Sequence, residues 1–417
     1  MFIKRDKYLD KLKLRMRNGL IKVITGIRRS GKSFLLFHIF KEFLLNEGVD
    51  QSHIITLELD LYENRKYTEP SEFLLYIRSR IIDDRMYYIL IDEVQMLSEF
   101  EAVLNSLLHI SNADVYVTGS NSKFLSRDVI TEFRGRGDEV HIYPLSFSEF
   151  MQIYPGSKYE GWADYIVYGG LPLTATMSEQ AQKSDYLLRL FEETYIKDII
   201  SRYRVDRIQE LGDLVNVLAS SVGSLTNPTR IEATFKTSLH SDISLNTIRQ
   251  YIEYLKDAFI VNEAFRYDVK GRKYIGTPLK YYFEDVGLRN ARLGFRQIEE
   301  SHLMENVIYN ELRARDFQVD VGIVETRSAS GSAKRQRKQL EIDFIANQGS
   351  RRYYIQSALS LPDEEKVRQE KASLVNVPDS FKKIIVVKDI INVRRDEDGI
   401  TTMSIYDFLL DENSLES

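Results

Sequence analysis

Cysteine is absent from this 417-residue chain. The absence excludes disulfides, thiolate catalysis and Cys-based zinc sites, and it fits a reducing, cytoplasmic compartment. Eight Pro and 21 Gly are too few for a long disordered linker. No run of about 18 apolar residues occurs, so neither a spanning helix nor a membrane partner is expected. Met1-Phe2-Ile3-Lys4-Arg5-Asp6 has no apolar signal region. Excess positive charge is lacking too. The formal net charge is −5, so any nucleic-acid contact must be local. What is present is 43% hydrophobic and 29% charged residues, with 25 Tyr, in a length that suits two or three packed domains.

The most informative stretch is Gly26-Ile27-Arg28-Arg29-Ser30-Gly31-Lys32-Ser33, which matches the phosphate-loop pattern. Leu20–Thr25 before it reads as a buried strand, and Phe34–Phe40 after it as an amphipathic helix. That context points backbone N–H groups and a helix N-terminus at phosphates. Residues Gly26 to Phe34 are therefore the expected nucleotide-binding segment. Lys32 is placed on the β- and γ-phosphates and the Ser33 hydroxyl on Mg²⁺. Downstream, Tyr88-Ile89-Leu90-Ile91-Asp92-Glu93 is an apolar strand delivering two acids at its C-terminal end. Asp92 suits the metal, and Glu93 suits polarising the attacking water. Thr118-Gly119-Ser120-Asn121 ends another strand. Asn121 is favoured over Ser120 as the polar group facing the γ-phosphate, with helix capping as the bland role for either. Arg136 in Phe133-Arg134-Gly135-Arg136-Gly137 fits either an arginine finger reaching a neighbouring subunit or a structural ion pair.

Residues 20–145 alternate strand-like and helix-like runs, which predicts an α/β fold with an open parallel sheet. The expected strands lie at His53–Leu59, Tyr87–Ile91, Asp114–Thr118 and Glu139–Tyr143. From Ser146 to about Tyr203 the pattern is helical. Three more helices follow, at Leu211–Val222, Ile231–Ser238 and Ser244–Leu255, and then strands at Phe259–Phe265 and Lys280–Phe283. Three helices and a hairpin are the layout of a winged helix-turn-helix. Its recognition helix would start near Ser244, Asn246, Thr247, Arg249 and Gln250. Arg266, Lys270, Arg272 and Lys273 would lie in the wing. Beyond Asp285, a helix at Glu305–Ala314 and strands near Asp320–Glu325, Leu340–Ala346, Tyr353–Ser357 and Lys383–Val387 are expected. Ser328–Lys338 reads as a surface loop and the C-terminus as a short acidic tail. The resulting division is an ATPase core (1–155), a helical lid (156–205), a winged helix (206–284) and a mixed α/β domain (285–417).

Taken in order, Gly26–Ser33, Ile91–Gln95, Thr118–Asn121, Gly135-Arg136 and Pro144–Phe150 carry a resemblance. So do Tyr168-Gly169-Gly170-Leu171-Pro172 and Tyr282–Asn290. Together they resemble a bacterial and archaeal family of AAA+-like ATPases. Its C-terminal domain of unknown function fuses a winged helix to a restriction-endonuclease-like fold. The resemblance implies ATP, rather than GTP, as the nucleotide. It also implies hydrolysis with Mg²⁺, homo-oligomerisation in which a hexamer-type ring is one option, and a connection to DNA.

The nuclease-like fold surrounds Mg²⁺ with a helix Glu, a strand Asp and a Glu-x-Lys pair. Glu305 and Asp343 match the first two, but Gln356 and Ala358 stand where Glu and Lys belong. Loss of both argues against cleavage. Lys334-Arg335-Gln336-Arg337-Lys338 is the densest basic patch, read either as a solvated loop or as a phosphate contact. The resulting expectation is an ATPase whose cycle drives DNA binding, with branched or Holliday-junction DNA as one substrate. The competing expectations are an ATP-dependent switch that binds a protein partner, and an ATPase coupled to its own Mg²⁺-dependent nuclease.

Overall fold

A computed structural model describes residues 3–119, 135–328 and 336–416 of the chain. They form two compact units, one comprising Met1–Pro144 with Asp257–Phe259, the other Leu145–Lys256 with Ile260–Ser417.

The first unit is an α/β fold around a five-stranded parallel sheet. Its strands are β1 (Ile21–Thr25), β2 (Ile54–Glu58), β3 (Tyr87–Asp92), β4 (Ala113–Thr118) and β5 (Gly137–His141), in the order β2-β3-β4-β1-β5. Each strand expected here is present. Strand β3 is buried on both faces, as its unbroken apolar run requires. Tyr87, Ile89 and Ile91 pack on one side with Phe73, Ile77, Val103 and Leu104. Tyr88 and Leu90 pack on the other with Leu12, Leu36 and Phe40. The period of two in the strand thus feeds two cores, and helices cover both faces. The helix after the phosphate loop runs from Lys32–Phe34 through a π-helical stretch, Leu35–Phe40, to Lys41–Asn46.

The second unit begins with helices. Two of them start in reciprocal capping boxes, Ser146 with Glu149 and Ser157 with Glu160. The helices Ile208–Ser220, Pro228–Ser238 and Leu245–Asp257 follow. Ser244 caps the last of them by accepting from the Thr247 N–H at 3.1 Å. An eight-stranded mixed sheet completes the unit, with β6 (Val261–Asp268), β7 (Lys273–Phe283), β8 (Gln318–Ser328), β9 (Gln336–Gln348), β10 (Arg351–Ala358), β11 (Lys382–Val387), β12 (Arg394–Arg395) and β13 (Ile400–Ser404). Its order is β12-β13-β11-β10-β9-β8-β6-β7.

Three expectations change. Residues 336–338 are strand, paired with 326–328 of β8, rather than surface loop. The acidic tail is folded: β13 is buried throughout and the helix Ile405–Leu410 buries Ile405, Phe408 and Leu409. Apolar residues hidden among the tail's charges drive that burial. The β6–β7 hairpin is not a detached wing, since β6 also pairs with β8. Arg266 on β6 is consequently buried and cannot meet phosphates, whereas Lys270, Arg272 and Lys273 remain exposed.

Candidate nucleotide site

The phosphate loop leaves the C-terminal end of β1, the edge where ligands of open parallel sheets collect. Gly26 has φ +135°, and a Cβ there would lie 2.2 Å from the Ile142 carbonyl oxygen. Only glycine fits. Gly31, at φ +97°, turns the chain into the helix beginning at Lys32. Lys32 is buried, and its ammonium donates to the Gly26 and Ile27 carbonyls at 2.9 Å each. It is curled over the loop, in reach of whatever the loop encloses. Ser30 is buried and Arg28 is half-buried, while Arg29, at φ +66°, and Phe34 are exposed.

Asp92, the last residue of β3, faces this loop. Asp92 is 4% exposed. Burial holds its carboxyl above the ordinary range, opposed by hydrogen bonds from the Thr118 and Ser33 hydroxyls and reinforced by the nearby Glu93 and Asp60. Ser33 and Asp92, each expected on Mg²⁺, therefore meet. A hydroxyl and a carboxylate side by side form an all-oxygen donor pair, the chemistry Mg²⁺ takes. Glu93 is half-buried at φ +50°, with its backbone N–H 3.2 Å from Thr118 Oγ1 and its carboxylate accepting from the Gln95 amide.

Three contributors escaped sequence reasoning. Thr118 bonds both Asp92 and the Glu93 backbone, and Gln95 orients Glu93. Both stand inside motifs already noted, where their polarity was the available signal. Arg5 carries no local signal. It lies 25 residues before Ser30, yet its guanidinium donates to the Ser30 carbonyl at 3.0 Å and the Tyr143 carbonyl at 2.8 Å, pinning the phosphate loop from behind.

Arg136 is exposed, and its carbonyl accepts from the Ile21 N–H at 2.9 Å. It thus sits where β1 and β5 begin. The five residues of β1 separate it from the loop by about 16 Å at 3.3 Å per residue. Asn121, Lys334 and Arg335 lie outside the described residues. Arg337 and Lys338 fall on β9, where Lys338 is exposed. Ser244, Asn246 and Arg249 are exposed at the start of their helix, and Thr247 is half-buried.

In the second unit the two family-like markers interlock. The Asp285 carboxylate accepts from the Gly170 and Leu288 N–H groups at 2.8 and 2.9 Å, and Asn290 donates to the Ile166 and Val167 carbonyls. A Cβ on Gly169 would lie 2.3 Å from Asp285 Oδ1, and one on Gly287 2.1 Å from the Tyr168 carbonyl oxygen. Glu305 and Asp343 also come together there, around Lys280. Gln356 turns elsewhere, accepting from Ser373 at 3.4 Å, and Ala358 is buried. Among the described residues no helix is long and apolar enough to cross a membrane.

Residues 18–151 match the AAA domain, and residues 159–299 match a domain of unknown function. An uncharacterized protein of Methanocaldococcus jannaschii is 26% identical over 388 residues, covering 88% of this chain and 81% of that one. Among solved structures, the Aeropyrum pernix Orc1 protein in complex with DNA aligns at a TM-score of 0.27 and 16% identity, covering 70% of this chain and 92% of that one. An uncharacterized protein of Haemophilus influenzae is 31% identical over 414 residues, 98% of each chain. This chain, an AAA domain followed by a domain of unknown function, belongs to the family of that Haemophilus influenzae protein.

Proposed function

We propose that the protein is an oligomeric ATPase of AAA+ type that binds DNA through its second unit and does not cut it. The observation that carries the ATPase reading is the meeting of Ser33, Asp92 and Thr118 beside a glycine-cradled loop. Ser33 and Asp92 would hold Mg²⁺, which when bound neutralises phosphate charge. Lys32 exchanges its two carbonyl partners for phosphate oxygens. Glu93, oriented by Gln95, accepts the proton of the attacking water. Arg136, far from its own loop, acts on a neighbour's site. Asn121 is assigned to the γ-phosphate on its place after β4 alone.

The helix Leu245–Asp257 supports DNA binding. It buries Ile248, Tyr251, Ile252 and Leu255 and presents Asn246, Arg249 and Gln250 to solvent. These are residue types that read base edges and phosphates. Exposed Lys270, Arg272, Lys273 and Lys338 add local positive charge, with Lys334, Arg335 and Arg337 completing the basic run. The three helices suit a helix-turn-helix whose hairpin is built into the mixed sheet, and that sheet suits a nuclease-like architecture. Recognition of branched DNA follows from a shape-reading fold without cutting chemistry.

The test is a panel of single-stranded, duplex, forked and four-way DNAs, read for binding and for stimulated ATP hydrolysis. DNA affinity should fall steeply with salt and weaken in Arg249→Glu. An absence of DNA binding at low salt refutes the DNA half and leaves a protein-binding switch. Mg²⁺-dependent cutting abolished by Asp343→Ala refutes the statement that the second unit does not cut.

A further inference from the structure

Lys280 on β7 is 3% exposed, yet its side chain carries a full ammonium into a cluster of acids. Its nitrogen lies 2.9 Å from Glu305 Oε1, 2.8 Å from Glu341 Oε1 and 3.4 Å from Asp343 Oδ1. Glu341 and Asp343 are two residues apart on β9 and so share a face. Glu305 comes from the helix Glu300–Ala314. Tyr282, two residues along β7 from Lys280, donates to Glu305 at 2.6 Å, and the Ser357 N–H donates to Asp343 at 2.9 Å. Among the described residues no group of three or more His, Asp or Glu is itself arranged to hold a metal ion. The ammonium stands between them.

The charge count is unbalanced. Three carboxylates face one ammonium, a net −2 when all are ionised. A buried lysine needs one carboxylate for neutrality, yet Glu305 and Asp343 are both buried beside it and the half-exposed Glu341 adds a third. Three oxygen donors converging on one point from two elements is instead the donor set of a hard divalent cation. An ammonium has three N–H donors and can satisfy the same three acids, at hydrogen-bond rather than metal–oxygen distances.

The geometry points to Lys280 as the resident cation of a closed divalent-metal site: its ammonium fills the position a divalent ion would take among Glu305, Glu341 and Asp343, and it excludes that ion. This deepens the reading of the second unit as one that does not cut DNA, and it rests on that reading. Metal binding and cutting are measured separately, so either statement can fail without the other. With Gln356 turned away and Ala358 apolar, Lys280 supplies the positive charge beside Glu305 and Asp343.

The test uses the full chain, free of nucleotide, titrated with MnCl₂, the free ion being counted by its magnetic resonance signal. Wild type and Asp343→Asn should bind Mn²⁺ alike. Lys280→Met should gain one site that binds at least about tenfold tighter than anything in wild type, and Asp343→Asn in the same chain should abolish it. Should Lys280→Met not fold, Lys280→Gln removes the ammonium, keeps a polar side chain among the three acids and should gain the same site. A wild-type Mn²⁺ site lost in Asp343→Asn overturns the inference, because the cluster is then already open. So does a folded Lys280 variant that gains none.

Discussion

Lys32 donates to two carbonyls of its own loop, so its removal reads directly on that loop. Lys32→Ala should lose nucleotide affinity by tenfold or more, about 1.4 kcal/mol or above, in a fluorescent-nucleotide titration. Glu93→Gln should keep that affinity and lower turnover by about a hundredfold, because an amide cannot take the proton from water. Normal turnover in that variant removes Glu93 from its role. Arg5→Ala should raise the KM for ATP with a smaller change in kcat, since Arg5 holds the back of the loop through the Ser30 carbonyl. Arg5→Lys should not rescue it, because the guanidinium reaches the Ser30 and Tyr143 carbonyls from two separate nitrogens, a fork that a single ammonium nitrogen does not reproduce.

At the scale of elements, the first sheet contains a buried ion pair that its apolar strands do not announce. Lys22 on β1 and Asp114 on β4 are both almost fully buried, and Tyr116 donates to Asp114 at 2.8 Å. Burial pulls the Lys22 ammonium below its usual range, opposed by Asp114. Removing one partner strands the other: Asp114→Ala should destabilise the unit by about 3–5 kcal/mol in urea unfolding, and adding Lys22→Met should recover most of the loss.

Local patterns are legible in the sequence, and distant pairings are not. The parallel strands and the loop-to-acid pairing of Ser33 with Asp92 were readable, because alternating apolar runs and a glycine pattern are local signals. Strand β13 was not, for its five residues, Ile400–Ser404, sit among charges and are made a strand by pairing with β11. The contact of Lys280 with Glu305 and Asp343 spans 25 and 63 residues. No local pattern encodes a meeting across that separation.

For the whole molecule, two measurable consequences follow. Burial lifts the Asp285 carboxyl from its ordinary 3.8 to about 6, against hydrogen bonds from the Gly170, Leu288 and Gly287 N–H groups, with Glu284 adding to the rise. The folded chain then binds a proton more tightly than the unfolded chain between these values. That contribution, of the order of 3 kcal/mol, is present below pH 4 and lost as pH rises through 6. Asp285→Asn should flatten the fall in stability between pH 4 and 7, compared with wild type by urea titration. Arg136→Ala should cripple turnover and, mixed with Glu93→Gln subunits, restore part of it. No restoration means that sites are not shared between subunits.

The interlock of Gly169 and Gly170 with Asp285 has a bearing on heredity. Its halves are 115 residues apart in the chain, and a side chain on the glycine end collides with the acid end. Neither half can drift alone. Chimaeras of two relatives joined anywhere between residues 172 and 284 take the two halves from different parents. Those joined outside that interval inherit the pair intact, and should express better wherever the parents differ at either half.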